Sequence, residues 1–160
     1  MIREALTILL MTAAFGAGIA AGIFFAFSTF VMKALARLPA QEGIRAMQSI
    51  NDAVLNPLFA SVFAGTAAAG ILALVLSFLH GASLETMYAA IGLISYVAGV
   101  ILVTMRRNVP LNERLAAWNP EDGAPESIWN NYVSDWSRWN HLRTVAASVS
   151  MVFMMLAARL

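Results

Sequence analysis

The 160-residue chain contains no cysteine. Disulfides, thiolate metal ligation and cysteine nucleophiles are therefore excluded, and the chain is indifferent to redox compartment. Charge is scarce as well: 12% of residues are Asp, Glu, Lys or Arg, against about 25% in soluble domains. A net charge of +1 leaves no basic footprint for nucleic acid. The only histidines are His80 and His141. They fall at opposite ends of apolar runs, so they cannot share a metal ion. No carboxylate interrupts those runs, which excludes a di-iron carboxylate bundle. No internal repeat relates the two halves, which argues against an inverted-repeat transporter.

Apolar residues are abundant, at 60% of the chain. Uncharged runs extend from Ala5 to Met32, Val54 to Leu79 and Thr86 to Met105. Each reaches the ~20 residues that a helix needs to cross a bilayer. The first exceeds the 7–15 residues of a signal-peptide core, so a retained transmembrane helix is expected. A fourth run, Thr144 to Ala158, is only 15 residues long. Its helix would measure roughly 22 Å, short of a ~30 Å hydrocarbon core. The span must therefore begin near Trp139 and carry Asn140, His141 and Arg143 to its boundary.

Basic residues set the expected orientation. Lys33, Arg37, Arg45, Arg106, Arg107, Arg114, Arg138 and Arg143 fall in or beside the first and third connections, whereas Arg3 and Arg159 lie at the termini. Loops 1 and 3 are thus expected in the cytoplasm. The segment from Leu38 to Pro57 places Ile44, Met47, Ile50, Val54 and Leu55 at helical spacing, as in an amphipathic helix lying on the membrane face. The expected fold is all-α, a single integral membrane domain of residues 1–160. It is a four-transmembrane-helix bundle with a short amphipathic helix between helices 1 and 2. Its helices cover about 5–34, 40–53 (amphipathic), 55–79, 84–106 and 128–158, with a loop over 107–127.

The stretch "WNNYVSDWSRWNHLRT" (129–144) holds three of the four tryptophans. On a helix, Trp129, Tyr132, Trp136, Asn140 and Arg143 share one face within an arc of about 80°, with Trp139 at its edge. One reading is an interfacial aromatic belt with Arg143 snorkelling to headgroups. The other is an inward face lining a pocket. Polar groups at membrane depth usually face the interior, and flat rings interleaved with a few polar groups suit a planar aromatic ligand. Ser28, Thr29 and the phenylalanines in "GIFFAFSTFVM", and Asn108 and Asn112 in "NVPLN", fall at the same end of the bundle and are further candidates to line that pocket. In the first helix Gly18 and Gly22 form a GxxxG pair suited to close helix contact.

Four segments carry a family resemblance: "GIFFAFSTFVMKAL", "MQSINDAVLNPLF", "NVPLNERL" and "WSRWNHLRT". Together they resemble the anthrone oxygenase-like family of small four-helix integral membrane proteins, over nearly the whole chain. The resemblance implies a membrane-embedded oxidation of a planar aromatic or phenolic substrate by O2, without metal or other cofactor. Under it Tyr132, Trp136 and Trp139 would stack on substrate, Arg143 and Asn140 would hold the developing oxyanion, and His141 or Asp135 would be the base. Helical geometry turns His141 away from the aromatic face. A non-catalytic binding or accessory membrane protein, and a small transporter, are the alternative readings. The expected partners are the lipid bilayer and a small planar aromatic molecule, with self-association into a homo-oligomer left open. The expected location is the bacterial inner (plasma) membrane.

Overall fold

The computed structural model describes residues 1–81, 83–119 and 126–160. It is helical throughout, with α1 at Ile2–Leu35, α2 at Ala40–Val54, α3 at Pro57–Leu79, α4 at Leu84–Ala116 and α5 at Glu126–Ala158. Helices α1, α3, α4 and α5 are each long and apolar enough to cross a membrane. They pack as a ring in which α1 touches α3 and α5, and α4 touches α3 and α5. The chain is thus an all-α bundle with the character of an integral membrane protein.

Small residues set the helix spacing. A Cβ on Gly16 would collide with Thr66 of α3, and one on Gly92 would lie 3.0 Å from the Met154 side chain of α5. The Gly18–Gly22 pair contributes only half of its expected contact. Gly18 sits under Met151, but nothing lies within 4 Å of a Cβ on Gly22. The close approach to α3 instead uses Gly16, half a turn away.

Helix α2 starts after Pro39 and buries Gly43, Ile44 and Met47. These residues pack with Met32, Leu115, Trp129, Tyr132 and Trp136. Leu55, expected on the same apolar face, is exposed because the helix has already ended before it. Asn56 then caps α3: its Oδ1 accepts from the Phe59 N–H at 2.9 Å, and Pro57 takes the first helical position, where no N–H is needed.

The loop expected from residue 107 is corrected in its first part. Helix α4 runs on to Ala116, straight past Pro110. A wide π-helical turn at Thr104–Asn108 precedes this proline and re-spaces the backbone bonds that proline would otherwise break. The acidic Gly/Pro stretch at 120–125, and residue 82 of the outer turn, lie outside the described residues. Two further π-helical turns occur, at Phe27–Val31 in α1 and Val97–Leu102 in α4.

Candidate functional site

Helix α5 buries Trp129, Tyr132, Trp136, Asn140, Arg143, Ala147, Ser150, Met154 and Ala157. The steps of three and four residues make one stripe that faces the bundle along the whole helix. Of the stretch 129–144, Trp129, Tyr132, Trp136, Asn140 and Arg143 therefore point inward, not toward lipid. Trp129 and Tyr132 stack with centroids 5.7 Å apart, and Trp136 meets Phe27 of α1 at 5.4 Å.

Arg143 stands at the inner end of this aromatic run and is 5% exposed. Its Nη2 donates to Asn140 Oδ1 at 2.8 Å and its Nη1 to Thr104 Oγ1 at 3.2 Å. The guanidinium carbon lies 4.4 Å from the Phe24 ring centroid and 5.1 Å from that of Trp136. Two rings thus flank a planar cation, an arrangement worth up to ~2 kcal/mol or more per desolvated contact. A buried guanidinium loses several kcal/mol of hydration, so the rings and neutral oxygens offset only part of that cost. Among the described residues no carboxylate pairs with it; the ion pairs there join the Met1 amine to Glu4 and Arg3 to Glu85. Among the described residues its Nε finds no hydrogen-bond partner.

Asn140, fully buried, ties this cation to α1. Its Nδ2 donates to the Phe24 carbonyl at 2.7 Å and to Ser28 Oγ at 2.8 Å. Ser28 and Thr144 share a hydroxyl–hydroxyl bond of 2.9 Å. On the α4 side, Asn108 Nδ2 donates to the Trp136 carbonyl at 3.3 Å, while its buried Oδ1 has no partner. Asn112 Oδ1 accepts from both Tyr132 Oη and Trp136 Nε1, each at 2.9 Å. Two of the π-helical turns sit at this cluster. The one at Phe27–Val31 presents Ser28, and the one at Thr104–Asn108 presents Thr104 and Asn108.

The structure brings together Tyr132, Trp136, Asn140, Arg143, Asn108 and Asn112 of the expected residues. Four others stand apart. His141 and Asp135 are exposed on the far side of α5, so neither is placed as a base within the cluster. Trp139 is half-buried outside it, beneath Arg107. Thr29 donates back to the Phe25 carbonyl of its own helix at 2.7 Å. Thr104 and Thr144 went unread in the sequence. Thr104 alone left a trace, as the polar residue in the run "VILVTM". The expected open pocket is also corrected: the aromatic wall is closed by its own packing and by α2. An open cavity of about 350 Å³ lies where Gln48 and Asp52 of α2 face Trp118 and Asn119. Among the described residues no three His, Asp or Glu side chains converge into a metal-binding group.

Fold and site together define a four-span membrane bundle assembled around a buried arginine that has no carboxylate partner among the described residues. The chain belongs to the anthrone oxygenase family, whose sequence profile matches residues 56–153. That match covers α3, α4 and most of α5; Phe24 and Ser28 of the cluster lie before it. No curated protein and no solved structure matches the chain.

Proposed function

We propose that the chain oxidises a planar phenolic or anthrone-like molecule with O2, and that Arg143 holds the substrate as its anion. The observation that carries this reading is the buried Arg143 guanidinium with two flanking rings, an unpartnered Nε and no carboxylate. An anionic, flat ligand completes such a site, because it supplies both the missing charge and the missing acceptor. Asn108 Oδ1, also unpartnered, offers an acceptor for a phenolic O–H.

The chemistry needs no external reductant. An anthrone methylene loses a proton to give an anion whose charge rests largely on the carbonyl oxygen, where a guanidinium stabilises it. Conversion of that CH2 to C=O releases four electrons. One O2 takes them up, placing one oxygen atom in the quinone and one in water. With no imidazole or carboxylate among the cluster's described residues, Arg143 acts by raising the acidity of the bound molecule, whose proton passes to water and is taken up again in the water that O2 forms. Helix α2, which roofs the aromatic wall, is the element that must move to admit substrate.

The test is to give the purified, detergent-solubilised protein an anthrone and follow quinone absorbance and O2 uptake together. Turnover with one O2 consumed per quinone, lost in Arg143→Gln, supports the oxygenase. Arg143-dependent binding without turnover moves the protein to the non-catalytic binding class. A rate no higher than that of the buffer, with no binding, removes both readings.

A further inference from the structure

We propose that Arg107, Arg138 and Trp139 form a binding site for the phosphodiester headgroup of an anionic phospholipid, at the seam between α4 and α5. The site is separate from the Arg143 cluster and does not depend on the oxygenase reading. Arg107 comes from α4 and Arg138 from α5, yet both guanidinium groups converge on one indole. Their carbons lie 4.6 and 5.8 Å from the Trp139 ring centroid. Both arginines are exposed, and Trp139 is half-buried between them.

The ring attracts each cation, but the two cations repel one another. That repulsion is stronger at a membrane surface than in bulk water, because the neighbouring medium has a low dielectric. Among the described residues neither arginine forms an ion pair. The acids nearest to them in sequence, Asp135 about one turn before Arg138 and Glu113 farther along α4 from Arg107, form no ion pair with either arginine. The pair therefore lacks an anion that its geometry calls for. Two arginines that only snorkelled to the surface would have no reason to share a ring across two helices.

The depth and surroundings select the lipid. Arg107 lies just past the end of the apolar run of α4, and Arg138 just before that of α5. Both therefore sit at headgroup level, where Trp rings concentrate. On the bilayer side Met105, Leu142 and Val145 are exposed apolar side chains, placed to lie along acyl chains. A phosphodiester between the two guanidinium groups would accept from both, cancel one of their two charges and tie α4 to α5. Basic sites between spanning helices take anionic headgroups in this way.

The experiment uses the full chain in a neutral detergent. Phosphatidylglycerol, phosphatidylcholine with the same acyl chains, and inorganic phosphate are added separately. Thermal unfolding and retained lipid by native mass spectrometry are read for each. Phosphatidylglycerol should raise the melting temperature, whereas the other two should leave it unchanged. The Arg107→Gln/Arg138→Gln variant should bind phosphatidylglycerol roughly 30-fold more weakly, two basic residues' worth of surface attraction. Arg114→Gln, altered farther along α4, should bind it like the parent. Equal protection by phosphatidylcholine, equal protection by phosphate alone, or unchanged phosphatidylglycerol affinity in the double variant would each overturn the site. If the double variant loses helix content, the parent decides the matter: its phosphatidylglycerol affinity should fall as salt rises, and a salt-independent affinity overturns the proposal.

Discussion

Arg143 donates to Asn140 Oδ1 at 2.8 Å from one turn further along α5, and the same amide's nitrogen reaches across to the Phe24 carbonyl of α1 at 2.7 Å. One asparagine thus orients the cation and joins two spanning helices. It can do both only because an amide carries an acceptor and two donors. A carboxylate at this position would accept from Arg143 but could not donate to Phe24 or Ser28.

Asn140→Asp should therefore neutralise Arg143 from within and remove the attraction for an anionic ligand. Binding of a phenolate-type molecule is expected to fall at least tenfold while the protein still folds, since the new ion pair offsets the lost donors. Asn140→Ala should instead lower stability by about 1–3 kcal/mol, removing the side-chain donor to the Phe24 carbonyl and leaving a guanidinium nitrogen unpartnered. Titration calorimetry and thermal unfolding separate the two variants. Undiminished binding in Asn140→Asp would remove Arg143 from the site.

Arg143→Lys keeps the charge but not the planar fork. A single ammonium cannot reach both Thr104 and Asn140 as the guanidinium does while keeping its contacts with the Phe24 and Trp136 rings. The Lys variant should melt lower and lose ligand affinity. A variant that matches the parent in both respects would mean that any cation serves.

Trp136 supports the same cluster from its edge. Trp136→Phe removes the 2.9 Å bond to Asn112 and should cost about 1 kcal/mol. Trp136→Ala empties a buried indole site and should cost about 3–5 kcal/mol. Quenching of tryptophan fluorescence by a quinone should weaken in both. It should persist in Trp118→Phe, which alters the separate cavity beside α2. Quenching that depends on Trp118 alone would move the ligand to that cavity.

Gly43 is the contact on which docking of α2 depends. A Cβ there would lie 2.6 Å from the Trp129 ring. Gly43→Val should lift α2 off the bundle and open the aromatic wall. Since the chain has no cysteine of its own, Met47→Cys gives a single label site that is buried in the parent. Labelling by a thiol reagent should accelerate at least tenfold when Gly43→Val is added. Equal rates would show that α2 adapts without moving.

The basic bias predicts that the α1–α2 connection is cytoplasmic. In intact cells an impermeant thiol reagent should label Ser83→Cys but not Ala36→Cys. Both positions are exposed, and neither substitution alters a charge. The reverse pattern would invert the orientation.

Much of the fold was legible in residue order alone. The length and apolarity of a run decide whether it can span a bilayer, and a period of three and four residues decides which side chains share a face. The shared face from Trp129 through Arg143 followed from that period. Whether the stripe met lipid or protein was a matter of which helices lay beside it. Only packing showed α1 and α4 closing over it, with Phe24, Ser28 and Thr104 arriving from positions more than thirty residues away in sequence. The continuation of α4 past Pro110 escaped notice because a π-helical turn accommodates a proline by redistributing backbone bonds, and no local motif records that. His141 and Asp135 have the residue types that suit proton transfer. The helical angle places them outward, and tertiary structure leaves Arg143 without a carboxylate among the described residues, since a charge's partners are set by distance in space rather than by order in the chain.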